Sequence, residues 1–359
     1  MAPRGAILRL AVEAALGSEV EGLEDVRSEA LDYDAFLAHR AVRRVRGHAR
    51  VHGGRRPWFL IEKTTEGPGH ADPYLLDNGA REFAAYPSGL LDDLAPRVRP
   101  PRLYGSHAGD DGKLVLWLEE VVHDGARPLD ATSLLAAAQD LGAMAGGWHR
   151  RVPAEPWLFT GWIDRHSQPE AVPAGLATLS ADSREVHALL GTRLAAGRAL
   201  VAAQPRVRDI LESLPQTLCH HDAVGANLFV SSGTTVLIDW ESVGPGPVGA
   251  DLASLLFSSV RRGDAMVSVV AAVLESAVSA YTASAREEDP SISRSDIRRG
   301  FDAAVALRWK LIADVAASIE RGGPLRRGSL PDEPPADART ELVALTDLLL
   351  QAVDRVLDR

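Results

Sequence analysis

The stretch LCHHDAVGANLF, residues 218–229, decides how this chain is read. Asparagine occurs twice, at positions 78 and 227, and there are three lysines against thirty-six arginines. A composition so sparing of amides and ammonium groups makes the places that keep them informative. Asn227 stands five positions after Asp222, which follows His220 and His221. The local pattern is strand, loop, strand, and an SSGT turn at 231–234 leads into a second apolar run, TVLIDWE. Alternating runs on either side of such a turn predict a β-hairpin, which sets Asn227 beside Asp239. A carboxylate and an amide oxygen at close range are hard ligands, suited to Mg2+. An acid between Ile238 and Trp240, at the end of an apolar run, is expensive to bury without a purpose. Asp222, set apart from that pair on the loop, is placed to accept a proton from a hydroxyl.

A metal pair beside a base points to phosphoryl transfer, and the rest of the chain supplies the other parts such a site needs. Lys63 lies in the predicted strand WFLIEKT, where a compact ammonium can meet a phosphate. Glu82, in the following helical stretch NGAREF, can pair with it, whereas Glu62 points to the opposite face of the strand. WLEEV, 117–121, sits where a connector between lobes offers backbone groups of Glu119 and Val121 to an adenine edge. Glu241, two places after Asp239, is a candidate substrate contact.

Working outward, 359 residues suffice for two lobes with a sizeable core. The net charge of −10 argues against non-specific binding to nucleic acid or an anionic membrane. The single cysteine, Cys219, excludes an intramolecular disulfide and a Cys-rich metal site. No run of about 18 apolar residues is apparent, so no membrane span is expected. The N-terminus reads as an amphipathic helix over 5–16 and not as a signal peptide, which makes the cytoplasm the default compartment. Strands are expected around 42–51, 58–64 and 113–121, and a helix over 78–94 interrupted at Pro87. Further helices fall from Asp130 or Thr132 to about 151, over 183–203 and 207–214, and from Asp251 to the end with a loop around 322–336. This is an α+β order, with a β-rich lobe over 1–118 and a mostly helical lobe over 119–359.

CHHDAVGANLFV followed by VLIDWESVGPGPVGADLASLL resembles the aminoglycoside phosphotransferase and choline kinase superfamily, which has a protein-kinase-like bilobal fold. The matching positions are His220, Asp222, Asn227, the run Ile238 to Glu241, and Gly246 onward to Asp251, Leu252 and Ala253. The resemblance implies Asp222 as catalytic base, Asn227 and Asp239 as Mg2+ ligands, and Lys63 with Glu82 orienting the nucleotide phosphates. It implies that Asp251 supports the catalytic loop from below, with His220 holding that loop by hydrogen bonds. The family's loop is usually closer to HGDLHPGN. No G-x-G-x-x-G is present, and Gly47, Gly53 and Gly54 are the candidates for a turn over the phosphates.

The sequence thus predicts a kinase using ATP (or GTP) and Mg2+ to phosphorylate a hydroxyl of a small molecule, acting as a monomer or homodimer. An antibiotic of aminoglycoside or nucleoside type is the leading acceptor. A metabolic kinase for choline, a sugar or an amino-alcohol is the alternative. A catalytically silent nucleotide-binding module is the reading from another class. A cationic acceptor would need acids on the C-terminal helices, with Glu241, Asp164 and Asp314 as candidates.

Overall fold

The computed structural model describes residues 4–31, 40–66, 79–125, 127–180, 183–321 and 327–357. It has the α+β, two-part, protein-kinase-like fold. Helix α1 (Arg4–Leu16) precedes strands β1 (Val20–Ala30), β2 (Arg40–Val51) and β3 (Gly54–Glu66). Helix α2 (Gly79–Ala85), a short strand β4 (Val98–Arg99), β5 (Leu103–Ala108) and β6 (Lys113–Leu118) follow. The order β1-β2-β3-β6-β5 makes one antiparallel sheet. Alternation along β3 sends Trp58 and Leu60 into a small core with Trp117 and with Ala11 and Val12 of α1. Ile61 and Lys63 lie on the other face and line a cleft.

Strands β1 and β5 lie outside the strands expected from sequence. In β1, VEGLEDVRSEA buries little beyond Val20, so it carries no apolar alternation. The expected strand at 113–121 ends at Leu118, because the Glu119 N–H bonds the Arg102 carbonyl and the chain leaves the sheet. The helix expected to 94 gives way at Tyr86–Ser88 to a 3-10 turn around Pro87, and Asn78 lies outside the described residues.

The helical part begins with α3 (Ala131–Gly147), capped by the Asp130 carboxylate on the Ser133 N–H. Helices α4 (Trp162–Ser167) and α5 (Val172–Leu179) were not foreseen. The single helix expected over 183–203 is two, α6 (Arg184–Leu190) and α7 (Arg193–Ala202), broken where Gly191 takes a positive φ of 52°. After α8 (Gln204–Glu212) come β7 (Gln216–Cys219), the hairpin β8 (Leu228–Ser231) and β9 (Thr234–Leu237), and β10 (Gly244–Pro247). β10 pairs with β7, and β9 lies between β8 and β4. Helix α9 (Ala250–Ala253) runs through a π-turn at Ser254–Ser258 into α10 (Ser259–Arg262). Helices α11 (Val267–Glu288), α12 (Arg294–Ala306), α13 (Lys310–Glu320) and α14 (Pro335–Leu357) complete the chain.

Helix α11 is by length and composition apolar enough to cross a membrane, where the sequence reading expected no such helix. It lies along α3 with Val270, Ala277, Tyr281 and Ala285 buried. The two backbones nearly touch: a Cβ on Gly142 would meet the Tyr281 carbonyl oxygen at 2.3 Å. One on Gly146 would meet that of Ala285 at the same distance.

Candidate active site

Lys63 sits on β3 opposite Val42 and Leu116. Its Nζ is 2.5 Å from Glu82 Oε2, 2.5 Å from Asp239 Oδ1 and 3.1 Å from Glu241 Oε1. The other Glu82 oxygen accepts the Trp240 N–H at 3.2 Å, tying α2 to the turn after β9. Glu62 faces away, accepting from Trp117 Nε1 at 3.0 Å. Burial opposes charge on Lys63, but Asp239 and Glu82 outweigh it and raise its pKa, so the ammonium persists. Burial, with the Asp239 charge, pushes Glu82 above the usual carboxylate range. Three carboxylates around one ammonium leave an excess of negative charge.

The loop between β7 and β8 is held from beneath. Asp251 accepts the His220 N–H at 2.7 Å and the His221 N–H at 2.8 Å, one on each oxygen. His220 Nε2 meets the Ile238 carbonyl at 2.9 Å, and its Nδ1 accepts the Asp222 N–H at 3.3 Å, which fixes the tautomer. His221, at a φ of 64°, stacks on Trp162 with ring centroids 5.0 Å apart. Burial lowers His220 to about 4 and His221 to about 3, so both are neutral. Burial raises Asp251 to about 6 despite those two N–H donors.

Beyond Asp222, Ser259 Oγ accepts the Gly225 N–H at 2.8 Å and Asp264 accepts the Ala226 N–H at 2.9 Å. Arg127 donates to the carbonyls of Gly225 and Leu228. Asn227 closes the loop, its Nδ2 donating to Asp222 Oδ2 at 2.7 Å, and its carbonyl accepts the Ile238 N–H at 3.0 Å. That last bond is the hairpin rung that sets Asn227 opposite Ile238, one residue before Asp239, whose φ of 66° is a strained left-handed conformation.

A cleft of about 1000 Å³ opens between sheet and helices, lined by Lys63, Glu82, Glu119, Val121, Asn227 and Asp239. The Glu119 carboxylate is turned onto Arg99 and the Arg102 N–H, so what this residue offers the cleft is backbone. Gly53 and Gly54 form the β2–β3 turn at the far end of β3, on the order of 30 Å from Lys63 at strand rise. Gly47 lies inside β2 opposite Trp58. None of the three covers the cleft. Glu241 is buried against Lys63 and does not face a substrate space. Asp164 pairs with Arg208 and Asp314 with Arg261, so the three acids considered for a cationic acceptor do not converge.

Two arginines at the site went unread in the sequence. Arg81, beside Glu82, is 2% exposed and donates to the carbonyls of Glu241 and Trp157. Arg308 bonds Ser254 and Ser258 of the π-turn. In a chain with thirty-six arginines neither stood out; only an arginine next to the lysine's glutamate partner offered a cue.

Residues 69–287, more than half of the chain, match the Phosphotransferase enzyme family, and the chain belongs to it. It is a small-molecule phosphotransferase that acts on hydroxyl groups. Comparison with curated proteins by sequence finds no match. Among solved structures, an amicoumacin kinase in complex with AMP-PNP, Ca2+ and Ami is similar at 13% identity and a TM-score of 0.54, covering 92% of this chain and 90% of its own. An aminoglycoside phosphotransferase from Alicyclobacillus acidocaldarius is similar at 14% identity and a TM-score of 0.54, covering 100% and 97%. At these identities the likeness is one of fold.

Proposed function

We propose that this chain transfers the γ-phosphoryl group of ATP to a hydroxyl of a small acceptor with the help of Mg2+. The observation that carries the reading is the convergence, at one cleft, of the Lys63 carboxylate cluster and the Asp222–Asn227 loop. The residues fit a divalent ion. Asn227 spends its N–H on Asp222 and keeps a neutral carbonyl oxygen, and the carboxylates around Lys63 exceed its charge. Asn227 and Asp239 would hold that ion, which when bound neutralises charge on the phosphate oxygens.

Lys63 orients phosphates as a point charge, fixed by Glu82. Asp222, oriented by Asn227, takes the acceptor's proton while the acceptor oxygen bonds to the γ-phosphorus and the bond to the β,γ-bridging oxygen breaks, releasing ADP. The backbone of Glu119 and Val121 borders the space for a base.

An antibiotic acceptor inactivated by phosphorylation is one biological reading. Its support is the fold shared with the amicoumacin kinase and the aminoglycoside phosphotransferase. A metabolite acceptor is the other. The test is ADP release from Mg·ATP and Mg·GTP across antibiotics, sugars, sugar acids and amino-alcohols, with Asp222→Asn alongside. Acceptor-dependent release lost in the variant supports the reading. Tight nucleotide binding with no release from any acceptor would move the assignment to a silent binding module.

A further inference from the structure

Beside the nucleotide cleft is a second cavity, of about 260 Å³, among α4, α10, α13 and α14. Its charged lining is Arg165, Arg261, Arg308 and Lys310 against a single acid, Asp314. That is a local excess of three positive charges in a chain whose net charge is −10. Such a field concentrates anions and repels polycations.

The cavity is joined to the catalytic loop by direct contacts. Arg261 lines both it and the nucleotide cleft. Arg308 Nη2 donates to Ser254 Oγ at 2.9 Å, and that hydroxyl donates to the carbonyl of His221, the residue before Asp222. On the opposite wall His166 packs at a tilt of 41° against Trp162, which stacks on His221.

Among the described residues only Arg261 of these four cations has a carboxylate partner, Asp314. Among the described residues Arg308 bonds only neutral oxygens, those of Ser254, Ser258 and Ala304. Lys310 donates to the Gln168 side chain, and Arg261 meets Asp314 at a loose 3.6 Å. Burial lowers the Arg308 guanidinium to about 10 in spite of the charges of Asp251 and Asp222, neither of which it hydrogen-bonds. His166 donates through Nδ1 to the Trp162 carbonyl at 2.9 Å, so its Nε2 is left as a hydrogen-bond acceptor for a hydroxyl.

We propose that this cavity receives the acceptor by a carboxylate or phosphate group, held by Arg165, Arg261, Arg308 and Lys310, so that the phosphorylated hydroxyl belongs to an anionic molecule. The inference rests on the phosphotransferase reading of the cleft and narrows its acceptor to acids. Guanidinium pairs match carboxylate and phosphate geometry, and two of them on one group give orientation as well as affinity.

The experiment uses the full chain with Mg·AMP-PNP bound, so that the nucleotide cleft is filled. Gluconate, glucose, glucosamine and inorganic phosphate are titrated, following tryptophan fluorescence from Trp162 and Trp309. ADP release from Mg·ATP is then measured on hydroxy acids, sugar phosphates and their neutral and amine counterparts. The expected result is saturable binding of gluconate or phosphate, no saturation with glucosamine, and turnover confined to anionic acceptors. The phosphate and carboxylate arms tell the two sources of charge apart. Lys310→Gln, at an exposed position, and Arg165→Gln, at a half-buried one, should raise KM for the anionic acceptor at least tenfold while kcat moves less than threefold. Arg261→Gln is the third variant.

Neutral or amine acceptors turned over better than acids, with the same variants silent, would overturn the inference and leave the kinase reading intact. Absence of anion binding would also overturn it. Anions that bind while no acceptor of any charge releases ADP, with AMP-PNP binding intact, would overturn the phosphotransfer reading on which the inference rests.

Discussion

Asn227 holds Asp222 by its side-chain amide, donating to the carboxylate at 2.7 Å and to the backbone carbonyl at 3.0 Å. The two residues therefore act as one unit, a base and its orienter. Asp222→Asn removes the proton acceptor and is expected to lower kcat by about 10²–10⁴-fold while the dissociation constant for AMP-PNP stays within a factor of about three. Asn227→Asp keeps the shape but sets a second carboxylate against the first. Like charge raises the pKa of one of them, so the acidic limb of the pH–rate profile should move to higher pH. A profile that keeps its position would mean that Asn227 does not orient Asp222 in solution.

Lys63 is the counter-charge for three carboxylates, Glu82, Asp239 and Glu241. Lys63→Met removes the cation that faces them, two of the three, Glu82 and Glu241, being buried, and a buried pair broken from one side costs about 3–5 kcal/mol. The thermal midpoint should fall accordingly. Because the lost charge can be replaced, MgCl2 should restore more Tm in the variant than it adds to the wild type. Equal gains in both proteins would show that the ion binds away from this cluster.

The buried histidines make stability depend on pH with a definite sign. His220 and His221 titrate at about 4 and about 3 in the folded chain, below the ordinary 6.5. Their stabilising contribution is full above 6.5 and is lost as pH falls toward 4, at about 1.4 kcal/mol per pH unit for each. Asp251 works the other way. Its pKa is raised from 3.8 to about 6, so protonation favours the folded state between those values and offsets one histidine. His221→Asn should flatten the slope by one proton between pH 6.5 and 4, read from urea midpoints across that range at constant m. An unchanged slope would place the proton uptake elsewhere.

How far the sequence could be read follows from what each residue depends on. Asp222, Asn227 and Asp239 were legible because their spacing is local: one loop and one hairpin bring them together, and the Asn227–Ile238 rung does so in the structure. Lys63 was legible because an ammonium is rare in this composition, and Glu82 because it is the acid of the helical stretch that follows the lysine's strand. The edge strand β1 was not, since beyond Val20 both of its faces are largely exposed and nothing imposes an apolar alternation. Arg308 was not legible either. Its place beside the catalytic loop depends on the π-turn at Ser254–Ser258, a backbone feature with no sequence signature here. The position of the acids Asp164 and Asp314, each held by an arginine from another helix, is a tertiary fact that no spacing encodes.

Helix α3 carries the catalytic strand on its back: Thr217 of β7 donates its hydroxyl to the Ala145 carbonyl at 2.6 Å, four residues before the Asp251-bound His221. The same helix presents Gly142 and Gly146 to the carbonyls of Tyr281 and Ala285. Gly147, on the last turn, has no neighbour closer than 4.0 Å. Replacing each with alanine separates propensity from packing. Gly147→Ala should be neutral or stabilising by up to about 1 kcal/mol, the ordinary gain of alanine over glycine in a helix. Gly142→Ala has the same gain available but must push α11 off by more than half an ångström, and a net loss of about 1–3 kcal/mol is expected. If α3 moves, β7 and the loop it carries move with it, so kcat should fall in Gly142→Ala while Gly147→Ala leaves it alone. Urea midpoints and ADP-release rates on the two variants check both halves. A stabilised Gly142→Ala would show that the helices stand further apart in solution than their backbone contact here requires.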